Sequence, residues 1–188
     1  WANHKGFNLL HARVGNGAWS NGKKITIKSL SKSAIKPTQA KMPLAGRLSG
    51  VPGSLKTSYK IKTPLKKNLG EIRTTGSTCH ELIMVANETM QYSISGWANI
   101  WDYAAGLIII HEAGGISLTP DKQGKWKELK GWSSLFSGDR KTSSLLRNWK
   151  GPVLSASPEI AEFISKNLTI KKSSRLRKTW DLISGIGI

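Results

Sequence analysis

The sequence predicts an α/β fold with sheets and helices in layers. From residue 71 onward, strand-like and helix-like stretches alternate, which is the pattern of helices laid on a sheet. The run from Ala104 to Ala113 is apolar nearly all round, which predicts a helix packed on several sides. Ser20-Asn21-Gly22-Lys23 carries the signature of a tight hairpin turn. At 188 residues the chain can hold one domain with a substantial core, or two small lobes.

The elements follow in order. Phe7–Ala12 predicts a strand, Val14–Trp19 a glycine-rich turn, and Ile25, Ile27 and Leu30 alternate as a further strand. Residues 1–35 are thus expected to form an antiparallel meander. Residues 36–70 are rich in Lys, Ser, Pro and Gly and read as a connecting segment, with Leu44–Leu48 and Leu55–Ile61 as short strands or helical pieces. Residues 71–168 form the α/β lobe. Glu71–Thr75 is its first strand, followed by a helix with Cys79, Leu82, Ile83 and Ala86 on one face and a capping-box spacing between Thr78 and Glu81. Met90–Ile94 is the next strand. The helix beginning near Asp102 ends at Gly114-Gly115, a left-handed stop. Ile116–Leu118 and Val153–Ala156 are strands, with a polar, Trp-rich loop over residues 125–150 between them. Ser157-Pro158-Glu159 opens a last helix with a cap, a first-turn proline and an acid at the positive end. Residues 169–188 form a basic tail.

The charge is lopsided, with 29 Lys and Arg against 11 Asp and Glu, a net +18. Such a chain attracts polyanions: nucleic acid, anionic surfaces or phosphorylated small molecules. Lysine is dense at Lys56–Lys67 and again at Lys171–Lys178, and no familiar nucleic-acid motif accompanies it. The basic tail reads as a polyanion element, a membrane-surface helix or a disordered end. The one cysteine, Cys79, excludes an internal disulfide and a thiolate metal cluster, and fits a reducing, cytoplasmic setting. The start at Trp1 lacks both an initiator Met and an apolar signal region, so the chain is expected to be cut from a longer one. No apolar run reaches membrane-spanning length. Trp97, Trp101, Trp126, Trp132 and Trp149 place the expected main core in the second half.

Asp102 is the residue on which function turns. An Asp at a helix start caps free backbone N–H groups, or it is a ligand held at the rim of a cleft. Gly76-Ser77-Thr78 serves equally as an ordinary cap turn or as a contact for an anionic or hydroxyl ligand. Glu81 reads as a capping residue first and a metal ligand a distant second. His80 and His111 have no second histidine at metal-binding spacing and read as structural or exposed, and Cys79 as a small core residue.

Trp101-Asp102-Tyr103-Ala104-Ala105-Gly106 through Glu112-Ala113-Gly114-Gly115 resembles the carboxy-terminal signature of the inositol monophosphatase family, which are magnesium-dependent, lithium-sensitive sugar-phosphate phosphatases. Gly15–Lys23, Arg73–Thr78 with Glu81-Leu82 and Val85-Ala86, and Pro152–Pro158 resemble other family segments in the same order. The resemblance covers about residues 1–168 and makes residues 1–35 the remnant of an amino-terminal sheet lobe. It implies that Asp102 is a ligand of Mg²⁺ that also meets a substrate hydroxyl. It implies that Gly76, Ser77 and Thr78 line the substrate pocket, and that Ser95 stands where inositol-specific members carry a Glu. A sugar, polyol or amino-alcohol phosphate other than that of myo-inositol is then expected, and a homodimer is allowed.

The family's upstream Glu and its Asp-Pro-Ile-Asp-Gly-Thr segment are absent from this sequence. A magnesium cluster needs several converging oxygen ligands, and one carboxylate neither holds it nor activates water. The water-activating carboxylates are therefore expected upstream of Trp1, leaving no catalytic residue in this chain and the chain alone inactive. Loss of the covering half predicts an exposed apolar face and self-association. The alternatives are a non-catalytic basic module for nucleic acid or an anionic surface, and a degenerate family member with a structural role.

Overall fold

A computed structural model describes residues 9–29, 47–121, 123–129, 144 and 147–171. Thirteen strands and five helices run in full through them, and Ser144, Arg147 and Asn148 are also helical. The first three strands, β1 (Leu10–Arg13), β2 (Gly17–Ser20) and β3 (Lys23–Ile25), form an antiparallel sheet in sequence order. Asn21 and Gly22 take φ of 50° and 75°, the left-handed pair that a two-residue hairpin turn requires. The turn is fastened to the chain entering β1, because Leu9 N–H donates to Asn21 Oδ1 at 2.9 Å. Ile27 lies beyond β3 rather than in a strand, and its N–H donates to the Ala113 carbonyl. Phe7 and Leu30, the outer ends of the expected strands, fall outside the described residues.

The centre is a six-stranded sheet in the order β10-β9-β12-β7-β4-β6. Its members are β4 (Leu48–Gly50), β6 (Glu71–Arg73), β7 (Met90–Ile94), β9 (Ile116–Pro120), β10 (Trp126–Glu128) and β12 (Leu154–Ala156). β4 pairs parallel with β6 and with β7, and the remaining pairs are antiparallel. β4 comes from the stretch between residues 36 and 70, which therefore gives the sheet an inner strand. Two short pairs complete the set: β8 (Ala98–Asn99) with β11 (Lys150–Gly151), and β5 (Tyr59–Ile61) with β13 (Leu168–Ile170).

Each face of the sheet carries its own core. On one side lie α1 (Leu55–Ser58), α2 (Thr63–Lys66), α5 (Pro158–Asn167) and the β5–β13 pair, over Tyr92, Ile94, Leu118, Leu154 and Ala156. Trp126 stacks on Tyr59 there, with ring centroids 6.3 Å apart. On the other side lie α3 (Thr78–Ala86) and α4 (Ile100–Glu112), and the three-stranded sheet packs on α4 as a fourth layer through Ala18 and Ile25. The expected layered α/β fold is what the chain adopts.

The second face is lined with small hydroxyl side chains. Ser155 is paired with Ser93 on one neighbour strand and Ser117 on the other, and the Ser155 and Ser117 hydroxyls lie 2.8 Å apart. Alternation along these strands therefore separates large apolar residues from serines, although both faces are buried. Above the serines α3 and α4 approach closely. A Cβ on Gly106 would stand 2.5 Å from Leu82 Cδ1 and 2.9 Å from Leu82 Cβ.

The described tryptophans do not gather in one core, and Trp132 lies outside the described residues. Trp149 is buried against Tyr103, but Trp97 and Trp101 are 39% and 62% exposed, because they flank the loop into α4 and its first turn. Cys79 is half-buried rather than a core residue.

Candidate functional site

β4, β6 and β7 run parallel, so their carboxyl ends open at the same end of the sheet. α3 begins just after β6, and α4 begins just after β7 and the short β8. Crevices outside the carboxyl ends of parallel strands are where such sheets bind ligands. Gly76, Ser77, Thr78, Ser95 and Asp102 all belong to the connections and first turns at this end.

In the connection to α3, Gly76 takes φ of +77° and stands exposed, as does Ser77. Ser77, not Thr78, caps α3, and its Oγ accepts from His80 N–H at 3.4 Å. With the cap one residue earlier, Glu81 falls outside the expected capping box and reaches backward. Its Oε1 accepts from Thr75 N–H at 3.0 Å and from Thr75 Oγ1 at 3.1 Å, while its Oε2 accepts from Ser93 Oγ at 3.0 Å. Glu81 is 6% exposed. This carboxylate ties the turn before α3 to the middle strand of the sheet. Sequence reasoning missed that role. The available signal was a Glu next to Leu82 and one turn before Val85, on the apolar side of the helix.

In the connection to α4, Asp102 is half-buried and its Oδ2 accepts from Asn99 N–H at 3.0 Å. The capping role is thus realised at the third position of the helix. Ser95 is only 4% exposed, and its N–H donates to the Val153 carbonyl at 2.8 Å. The Tyr103 hydroxyl lies 2.9 Å from the Gly96 carbonyl and 2.8 Å from that of Gly151, which fixes the loop before Asp102 against β11. Burial pushes the Tyr103 pKa well above its usual value of 10, offset in part by the neighbouring Ser95 hydroxyl, so it stays a neutral donor.

The far end of α4 is fixed differently. Glu112 accepts from Gly15 N–H at 3.0 Å and Gly17 N–H at 2.8 Å, so the glycine-rich hairpin wraps the carboxylate. These amides, that of Gly15 foremost, hold the Glu112 pKa below 4.5. His80 is exposed, and the His111 ring lies 3.8 Å from Glu112. A cavity of about 550 Å³ opens at the opposite end of the sheet, lined by Lys28, Arg47, Glu88, Met90 and Gln91 among others, away from all five predicted residues.

Among the described residues no three His, Cys, Asp or Glu side chains cluster as a metal site. Glu81 spends both oxygens on protein donors, which leaves Asp102 as the sole acidic candidate at this end among the described residues. One carboxylate does not satisfy octahedral magnesium. The residues described here do not by themselves make the metal centre.

The profile of the inositol monophosphatase family matches residues 6–169. No curated protein matches the chain. Inositol monophosphatase-II from Staphylococcus aureus superposes with a TM-score of 0.56 at 19% identity, covering 85% of this chain and 51% of the other. A hypothetical protein of Pyrococcus horikoshii with similarities to inositol-1 monophosphatase gives 0.56 at 23% identity, covering 88% and 53%. The inositol monophosphatase of Anabaena gives 0.54 at 19% identity, covering 85% and 55%. The chain therefore spans about half the length of the solved structures it matches, and these likenesses show the fold. With the profile covering nearly all of the described residues, the chain belongs to the inositol monophosphatase family.

Proposed function

We propose that this chain forms the substrate-facing part of a Mg²⁺-dependent phosphomonoesterase acting on a small sugar or polyol phosphate. The observation that carries the proposal is the convergence of two helix starts, those of α3 and α4, at the carboxyl ends of parallel β4, β6 and β7. Helix amino termini favour anions, since their free N–H groups and dipoles point outward. The exposed Gly76-Ser77 turn offers backbone N–H groups to a phosphate or hydroxyl. Asp102 offers its second carboxylate oxygen to a cation or a substrate hydroxyl. Tyr103 and Glu81 hold these two loops in place from beneath. The net charge of +18 draws a doubly charged phosphate toward the protein.

The remaining carboxylates of a magnesium site would come from outside the described residues, so no hydrolytic step is assigned to this chain. Titration of the chain with Mg²⁺ by calorimetry tests the ligand role. Weak binding that Asp102→Asn abolishes is expected, and an unchanged affinity in that variant would remove Asp102 from the site. Phosphate release from a panel of sugar and polyol phosphates, with Mg²⁺ present, tests the second point. Turnover by the chain alone would show that it needs no outside carboxylates.

A further inference from the structure

The lysine-rich stretch Lys56–Lys67 meets Lys166 and Lys171 in space. β5 and β13 pair antiparallel with Thr169 opposite Lys60, which sets Lys56–Lys67 beside Lys166–Lys171. Lys56, Lys60, Lys62, Lys66, Lys67 and Lys166 are exposed, and Lys171 is half-buried. Between residues 55 and 67 there is no Asp or Glu, nor between 166 and 180. Lys62 Nζ donates to the Lys166 carbonyl at 2.8 Å and Lys171 Nζ to the Lys56 carbonyl at 2.7 Å. Neutral carbonyls thus hold these ammonium groups and leave their charge uncompensated. Among the described residues, Lys166 alone of the seven forms an ion pair, with Glu162.

We infer that the face built by β5, β13 and α2 binds the phosphate backbone of nucleic acid without regard to sequence. The lysines are spread over α1, β5, α2 and the chain on either side of β13, which suits a polymer of phosphates better than one small anion. Lysine acts as a hydrated point charge, suited to backbone contact rather than bidentate base reading. The exposed large apolar side chains among the described residues are Leu9, Val14, Ile72, Trp97 and Trp101, and none belongs to this face. Among the described residues it therefore presents no apolar wedge for a bilayer and no aromatic platform for unstacked bases. This face belongs to the layer opposite α3 and α4, so it is separate from the Asp102 cleft.

Fluorescence anisotropy of a labelled duplex of arbitrary sequence, titrated with the chain at rising KCl, tests the inference. Affinity should fall linearly with salt on logarithmic axes. Lys60→Glu with Lys62→Glu should weaken binding at least about tenfold and lower the salt slope by about 2 units, about 1 for each lost phosphate contact. The charge-matched pair Lys23→Glu with Lys24→Glu, exposed on β3, should stay within a few-fold of the parent. Equal weakening by both pairs, or no binding at low salt, would overturn the inference. So would tight binding to phosphatidylserine vesicles at a salt concentration where the duplex is not bound. Thermal melts check folding, and Lys56→Gln with Lys67→Gln carries the same comparison if the first pair fails to fold.

Discussion

The Ser93 hydroxyl donates to Glu81 across 3.0 Å, joining the middle of the six-stranded sheet to the turn in front of α3. The other carboxylate oxygen takes both the amide and the hydroxyl of Thr75. Removing the carboxylate leaves the buried Ser93 hydroxyl without this acceptor and the Thr75 amide without its partner. Glu81→Ala is expected to cost about 2–3 kcal/mol in urea denaturation. It should also raise hydrogen exchange at Thr75. Glu81→Gln keeps an acceptor for Thr75 and should lose less. Equal losses in the two variants would mean that shape, not hydrogen bonding, is what the site needs.

The approach of α3 to α4 leaves no room at Gly106. Alanine there gains about 1 kcal/mol of helix propensity. Against this, its Cβ meets the root of the Leu82 side chain at 2.9 Å, which a rotamer change does not relieve. Overpacking of this kind typically costs about 1–3 kcal/mol. Gly106→Ala should therefore lower the melting temperature, and Leu82→Ala in the same chain should return part of the loss. A rise in melting temperature for the single variant would contradict the packing.

Acid should loosen the glycine-rich hairpin. The Glu112 pKa is held below 4.5 by the amides of Gly15 and Gly17. A carboxyl depressed in the folded state stabilises above its unfolded pKa and loses that contribution as pH falls through the folded one. The Gly15 and Gly17 amide resonances should therefore shift with a midpoint below pH 4.5. Glu112→Gln should remove that titration. A midpoint at or above the ordinary value would separate the carboxylate from the hairpin.

Tyr103→Phe deletes the hydroxyl that sits between the Gly96 and Gly151 carbonyls. The expected cost is about 1–2 kcal/mol by chemical denaturation. Faster hydrogen exchange should be confined to residues 95–99 and to β11. A uniform change across the molecule would argue that Tyr103 acts by packing on Trp149 alone.

Local chemistry was legible in the sequence, and distant pairing was not. Asn21-Gly22 dictates its turn through its own backbone preferences, and Ser157-Pro158 starts α5 through a cap and a fixed φ. α4 was visible as an apolar run bounded by Asp102 and Gly114. β4 and β5 are three residues each and owe their existence to strands elsewhere in the chain, so residues 36–70 gave no period to follow. At the candidate site, the positions of Gly76–Thr78 and Asp102 at helix starts followed from caps and glycines. The identity of the α3 cap did not, because Ser77 and Thr78 are both good caps and contacts with Thr75 and the distant Ser93 draw Glu81 away from a box.

Asp102 meets the Asn99 amide with one oxygen, and this has a thermodynamic consequence. Freezing a free side chain is part of the entropy that binding must overcome. Here folding has already frozen it, since the rotamer that serves the helix also fixes where the second oxygen stands. An incoming cation or hydroxyl finds a preorganised acceptor and loses little further entropy in using it. Asp102→Ala should therefore weaken the helix start and the ligand together, whereas Asp102→Asn preserves the frozen geometry and removes only the charge.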